Sequence, residues 1–123
     1  MTLLLDSHIL LWWLSEDEKL SATHRDLITD ERGEVLVSAI TLAELSIKAS
    51  LGKLEVTADL NREVEACGFG FLPFTQRHAA ALRDLPYHHR DPFDRMLVSQ
   101  AQADGLVFLT VDENCRRYDI ITR

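Results

Sequence analysis

Leu3-Leu4-Leu5-Asp6 is a short apolar run that finishes in an acid, and Val107-Phe108-Leu109-Thr110-Val111-Asp112 repeats that pattern far along the chain. An apolar run of this length without alternation reads as a strand buried on both faces. In an open parallel sheet, ligands sit just beyond the carboxyl ends of such strands. Each run delivers an aspartate to that rim. Two acids brought there from distant parts of the sequence point to a site, and an all-carboxylate site suits a hard divalent cation.

Between these runs, strand-like and helix-like segments alternate. Thr2 to Asp6 is expected as a first strand, with a short apolar helix from about His8 to Leu14 and a polar loop over Ser15 to Lys19. Ser21 opens a second helix that runs to about Asp30, and Glu34 to Ser38 forms a second strand. Thr41 with Glu44 three residues on has the form of a capping box, and Gly52 marks the end of that helix. A further helix is expected over roughly 58–66, then a short edge-like strand, Phe71-Leu72-Pro73-Phe74, and a helix capped by Thr75 through about Leu82. Asp91-Pro92 places aspartate at the N-cap and proline at N1 of a helix that runs to Asp104-Gly105. Leu106 to Thr110 is a buried strand and Asp119 to Ile121 a short last one. The alternation predicts an α/β layer fold with a mostly parallel sheet.

The bulk composition limits the possible classes. A chain of 123 residues fits one domain, 1–123, with a core that needs neither disulfides nor a structural metal. A net charge of -7 argues against binding nucleic acid through bulk electrostatics, and leaves room for a local basic margin around a neutralised acidic pocket. Cys67 and Cys115 have no zinc-site spacing and are not expected to pair. The strand-like run that follows Met1-Thr2 carries no basic leader pattern, so no signal peptide is expected. The longest apolar run, Ile9 to Leu14, is too short to cross a bilayer, and a cytoplasmic location with no membrane partner follows.

Each acid taken singly has a plain structural reading. Glu44 completes the capping box and can pair with Lys48 one turn later for roughly 0.3–0.5 kcal/mol. Asp6 can cap the first helix, Asp91 the last, and Asp112 can close a turn. Asp91 and Asp94 share one face of a helical first turn, and since one acid suffices as cap, Asp94 is the better candidate for a ligand. The single readings do not explain why four acids fall at strand ends or at helix starts that follow strands. Two carboxylates about 4 Å apart repel by ~4 kcal/mol at an effective dielectric near 20. Convergence of Asp6, Glu44, Asp94 and Asp112 therefore predicts a bound cation, Mg²⁺ or Mn²⁺. Ser38 and Thr110 lie near the same rim as candidate ligand-binding hydroxyls, and Lys48, Arg90 and Arg95 as a candidate phosphate-binding margin. His88-His89 lacks a third soft ligand at zinc spacing and reads as a pair of loop histidines. Trp12-Trp13 reads as core or dimer interface.

Five blocks together resemble the PIN-domain ribonucleases, and within them the VapC-type toxins of bacterial toxin–antitoxin pairs. They are Leu3-Leu4-Leu5-Asp6-Ser7-His8 with Leu11-Trp12-Trp13; Ser38-Ala39-Ile40-Thr41-Leu42-Ala43-Glu44; Lys48-Ala49-Ser50-Leu51-Gly52-Lys53-Leu54; His88-His89-Arg90-Asp91-Pro92-Phe93-Asp94-Arg95-Met96-Leu97; and Leu109-Thr110-Val111-Asp112. The likeness spans nearly the whole chain. It departs at Cys115, where similar proteins carry a bulky apolar or aromatic residue.

The resemblance implies a PIN-like three-layer α/β/α fold with a central, mostly parallel sheet of four to five strands. It maps the family's metal-binding acids onto Asp6, Glu44, Asp94 and Asp112, with Asp91 accessory. It implies a Mg²⁺-dependent endoribonuclease, in which cation-activated water attacks an RNA phosphodiester. It also implies a small antitoxin as partner, DNA contact only through that antitoxin, and a homodimer. Two other readings stand beside it: an antitoxin-binding regulatory module with little catalysis, and a metal-dependent phosphohydrolase acting on another substrate.

Overall fold

A computed structural model describes residues 1–55 and 59–123. In chain order the elements are β1 (Thr2–Leu5), α1 (Ser7–Leu14), α2 (Ala22–Thr29), β2 (Glu34–Ser38), α3 (Ala39–Ser50), α4 (Leu60–Ala66), β3 (Gly70–Leu72), α5 (Gln76–Ala81), α6 (Pro92–Asp104), β4 (Val107–Leu109), a 3-10 turn at Cys115–Arg117, and β5 (Ile121–Thr122). The strands form one sheet in the order β3-β2-β1-β4-β5, and each neighbouring pair is parallel. The mostly parallel sheet of the sequence reading is thus parallel throughout the described residues. From β1 the chain builds outward through β2 and β3, then returns to lay β4 and β5 on the other side. The order therefore reverses between β1 and β4, the place where open α/β sheets bind their ligands.

The apolar run in β1 explains its central position. Alternate side chains of a strand leave on opposite faces. Leu3 and Leu5 enter a core with Ile9, Leu10, Ile28, Val37, Leu45, Val64 and Leu109. Leu4 enters a second core with Leu97, Val98, Ala101 and Phe108. Each such side chain contributes roughly 1.5–3 kcal/mol when fully buried, which is why a central strand needs no polar face. Helices cover both faces, giving the three-layer arrangement. Trp12 and Trp13 are half-buried against the first core, where Trp13 packs at a tilt on Phe69, centroids 5.9 Å apart.

Most helix boundaries follow local capping chemistry. The Ser21 side chain accepts from the His24 N–H and opens α2. Asp91 accepts from the Phe93 and Asp94 N–H groups ahead of Pro92 and opens α6. The start of α3 corrects the sequence reading. Its N-cap is Ser38, whose hydroxyl accepts from the Ile40 N–H, because β2 runs into α3 without a loop. Thr41 therefore lies buried inside the first turn and makes no capping box, which releases Glu44 from that role.

Both edge strands are shifted from their expected positions. β3 stops at Leu72, ahead of Pro73, which has no N–H to extend a ladder. β5 begins at Ile121, because the Ile120 N–H turns back to the Tyr118 carbonyl. Of the helix expected over 58–66, residue 58 lies outside the described residues. Cys67 is exposed and Cys115 buried, and both are free thiols. Among the described residues no helix is long and apolar enough to cross a membrane.

Gly105 ends α6 in the left-handed region, with φ 65°, and a Cβ there would meet nothing within 4 Å. The substitution Gly105→Ala is therefore expected to cost only backbone strain, about 1–2 kcal/mol. Urea unfolding checks this, and an unchanged midpoint would contradict it.

Candidate metal centre

Asp6 follows β1 directly and caps α1, accepting from the Ile9 N–H at 3.0 Å. Its second oxygen accepts from the Thr110 hydroxyl at 2.6 Å, just beyond β4. That hydroxyl also accepts from the Asp112 N–H at 3.0 Å. Thr110, itself fully buried, thus ties the two strand-ending aspartates to each other across adjacent strands. With only 4% of Asp6 exposed, loss of hydration raises its pKa, although the Thr110 and Ile9 hydrogen bonds oppose the shift.

Glu44 reaches the same rim from the second turn of α3. One of its oxygens accepts from Ser7 at 2.6 Å and the other from Lys48 at 2.8 Å. Both contacts hold the carboxylate, itself 5% exposed, at a fixed position beside α1. The Lys48 pKa is raised, chiefly by this hydrogen bond to Glu44, with further contributions from Asp91 and Asp94.

Asp94, on the first turn of α6, is the acid most affected by its neighbours. Burial, then Asp91, and more weakly Asp6 and Glu44, push its pKa up to about 7, against an opposing pull from His89. His89 Nε2 lies 3.0 Å from Asp94 Oδ2 and 2.7 Å from Asp112 Oδ2. The donor atoms of His89, Asp94 and Asp112 all fall within 4.8 Å of one another. Asp112 is held besides by the Asn114 N–H at 2.9 Å.

This donor set fits a hard divalent cation. Most of the ligand atoms on offer are carboxylate oxygens, and burial, with the charge of the neighbouring acids behind it, raises the pKa of Asp94. Among the described residues the group close enough to share one ion is Asp94, Asp112 and His89, and Asp6 and Glu44 lie near enough to act on the Asp94 charge. Asp91 spends one carboxylate oxygen on the α6 cap.

Two residues read from sequence as ligand-binding, Ser38 and Arg95, have other duties. The Ser38 hydroxyl is fully buried between the Ile40 N–H and Gln100, to which it donates at 2.5 Å. Arg95 is buried, donating to the Pro86 and Leu85 carbonyls and the Tyr118 hydroxyl, with its guanidinium stacked 3.8 Å over the Tyr87 ring. It fastens the 85–87 segment to the 3-10 turn and does not form a phosphate margin. Arg90 lies with Tyr87, Pro92, Arg95 and Met96 around a shallow cavity of about 250 Å³. Thr110 and Lys48 do reach the acids, through Asp6 and Glu44.

Ser7 and His89 were not singled out as site residues from sequence. Ser7 stands next to Asp6, an available signal. His89 is in the expected loop, and only the fold shows its contact with Asp112, 23 residues away.

A family model described as "PIN domain" matches residues 3–121. The chain is 30% identical over 125 residues to ribonuclease VapC22 of Mycobacterium tuberculosis, an alignment covering 95% of this chain and 92% of that protein. Among solved structures it is similar to a chain of VapBC2 from Rickettsia felis bound to a DNA fragment from their promoter, with TM-score 0.71 and 15% identity over 100% of this chain and 98% of that one. It is also similar to a chain of FitAcB from Neisseria gonorrhoeae, with TM-score 0.67 and 23% identity over 98% and 95%. At these identities the structural likenesses show a shared fold.

The double role of Thr110 makes a prediction. Thr110→Val keeps the shape and leaves Asp6 Oδ2 and the Asp112 N–H without their partner, so it should cost about 1–3 kcal/mol in urea unfolding. Thr110→Ser, which keeps the hydroxyl, should retain most of that. Equal stability of the Val variant and the wild type would contradict the assignment.

Proposed function

The chain belongs to the PIN-domain family, and from that premise we propose that it is a divalent-cation-dependent endoribonuclease, the toxin of a toxin–antitoxin pair. The observation that supports this reading is the closeness of Asp94 and Asp112 at the sheet's switch point, with Asp6 and Glu44 near enough to act on Asp94, whose pKa burial and then the neighbouring acids push up to about 7. The relative from Mycobacterium tuberculosis, named a ribonuclease, supports RNA as the substrate class.

Asp6 and Asp94 are the principal ligands, while Asp112 and Glu44 complete the set or orient water. Mg²⁺ or Mn²⁺ bound there supplies Lewis-acid stabilisation of phosphoryl charge and makes water more acidic. The protein's own groups fix the carboxylates. Thr110 orients Asp6, Ser7 and Lys48 orient Glu44, and Asn114 holds Asp112. Lys48, half exposed, offers a positive charge to an incoming phosphate once the carboxylates are neutralised. Attack by water opposite the 3′-oxygen leaves 5′-phosphate and 3′-hydroxyl ends. Single-stranded or loop RNA fits, because its extended backbone can enter a narrow rim.

The VapBC2 and FitAcB likenesses support a small antitoxin as partner, with DNA contacted only through it. The same reading makes the chain one domain over 1–123, a homodimer and cytoplasmic.

The purified protein with Mg²⁺ and single-stranded RNA tests this. Asp6→Asn and Asp94→Asn are each expected to lower cleavage at least about a hundredfold, a loss of roughly 2.7 kcal/mol or more in the barrier. The unfolding midpoint of Asp94→Asn should hold or rise, since it removes a charge from a repelling cluster. Wild-type cleavage by both variants would overturn the reading.

A further inference from the structure

His89 stands outside the acid set and yet touches two of its members. On one side of the ring, Nε2 approaches the Oδ2 atoms of both Asp94 and Asp112. On the other, the backbone N–H of Asp91 donates to Nδ1 at 3.1 Å. A backbone N–H can only donate, so Nδ1 must present its lone pair and the ring hydrogen sits on Nε2. That nitrogen therefore has no lone pair for a metal. Its hydrogen goes to Asp112, just after β4, at 2.7 Å, and Asp94 on α6 lies beside it at 3.0 Å.

The surroundings fix this orientation. The histidine is largely buried, with 17% of its side chain exposed. Asp91 holds it through the backbone while its own carboxylate caps α6, so the segment that positions the ring also positions Asp94. Two carboxylates brought together repel, and an N–H donated to one of them, with its positive end near the other, offsets part of that repulsion. The other oxygen of Asp94 makes no hydrogen bond among the described residues, and so stays available.

We propose that His89 is a positioning residue of the metal centre, which donates from Nε2 to Asp112, lies against Asp94, and presents the pair to a divalent cation without being a ligand itself. This rests on the metal-dependent reading above. It also separates the two acids of the 91–94 segment: Asp94 is the ligand, and Asp91 orients helix and histidine.

Two measurements test it on the full-length protein. Long-range ¹H–¹⁵N correlation spectra of the metal-free wild type should show Nδ1 of His89 unprotonated and the hydrogen on Nε2; a hydrogen on Nδ1 would overturn the proposal. Calorimetric titration with Mn²⁺ alone should then show binding weakened about 10–100-fold in His89→Ala, the usual effect of removing a group that orients a ligand. His89→Gln, whose amide N–H can occupy the Nε2 position, should stay within about threefold of wild type. Equal loss in both variants would make the imidazole a ligand, and wild-type affinity in His89→Ala would leave it without a role; either overturns the inference. Its failure is distinct from failure of the nuclease reading, which would appear as full RNA cleavage by Asp94→Asn.

Discussion

The carboxylate of Asp6 sits at the end of the central strand, closed off from water and satisfied by one backbone N–H and one hydroxyl. Burial of a charged group disfavours its ionised form, so this one position constrains the residues around it. Thr110 must donate to it, which fixes the first residue beyond β4 and, through the Asp112 N–H, the turn that follows. Glu44 and Asp94 come into the same field from α3 and α6. The fold holds Glu44 with Ser7 and Lys48, and Asp112 with His89 and Asn114. Asp94 remains the least compensated.

Such a concentration of like charge works against stability and is tolerated because the surrounding layers are well packed. β1 is buried on both faces, and the two cores meet across it. Cys115 belongs to this support. Where similar proteins are expected to carry a larger residue, its side chain is buried in the second core and its N–H reaches the Asp112 carbonyl at 3.1 Å. Burial pushes its thiol up to about 12, so it acts as a small apolar filler beneath the rim.

The sequence was most readable where local chemistry decides structure. Apolar runs without alternation identified β1 and β4, and Asp91-Pro92 with Gly105 marked both ends of α6. The acids stood out as candidates because each lies next to such a landmark. Long-range contacts were harder to foresee. Thr41 and Glu44 have the spacing of a capping box, yet Ser38 takes the cap because strand passes directly into helix, a feature of the fold and not of the spacing. Arg95 looks like a basic margin beside Asp94, but the partners that bury it lie in the 85–87 segment and at Tyr118. His89 looked like an unremarkable loop residue for the same reason: one contact is local and the deciding one is with Asp112.

The central claim is that these acids exist to hold a divalent cation at the switch point of the sheet. The most direct measurement is an anomalous difference map from crystals of the protein grown with Mn²⁺. The account predicts a manganese peak bounded by the carboxylates of Asp6, Asp94 and Asp112, with His89 outside its coordination sphere. A fully ordered rim with no peak at saturating Mn²⁺, or a peak located elsewhere, would contradict it.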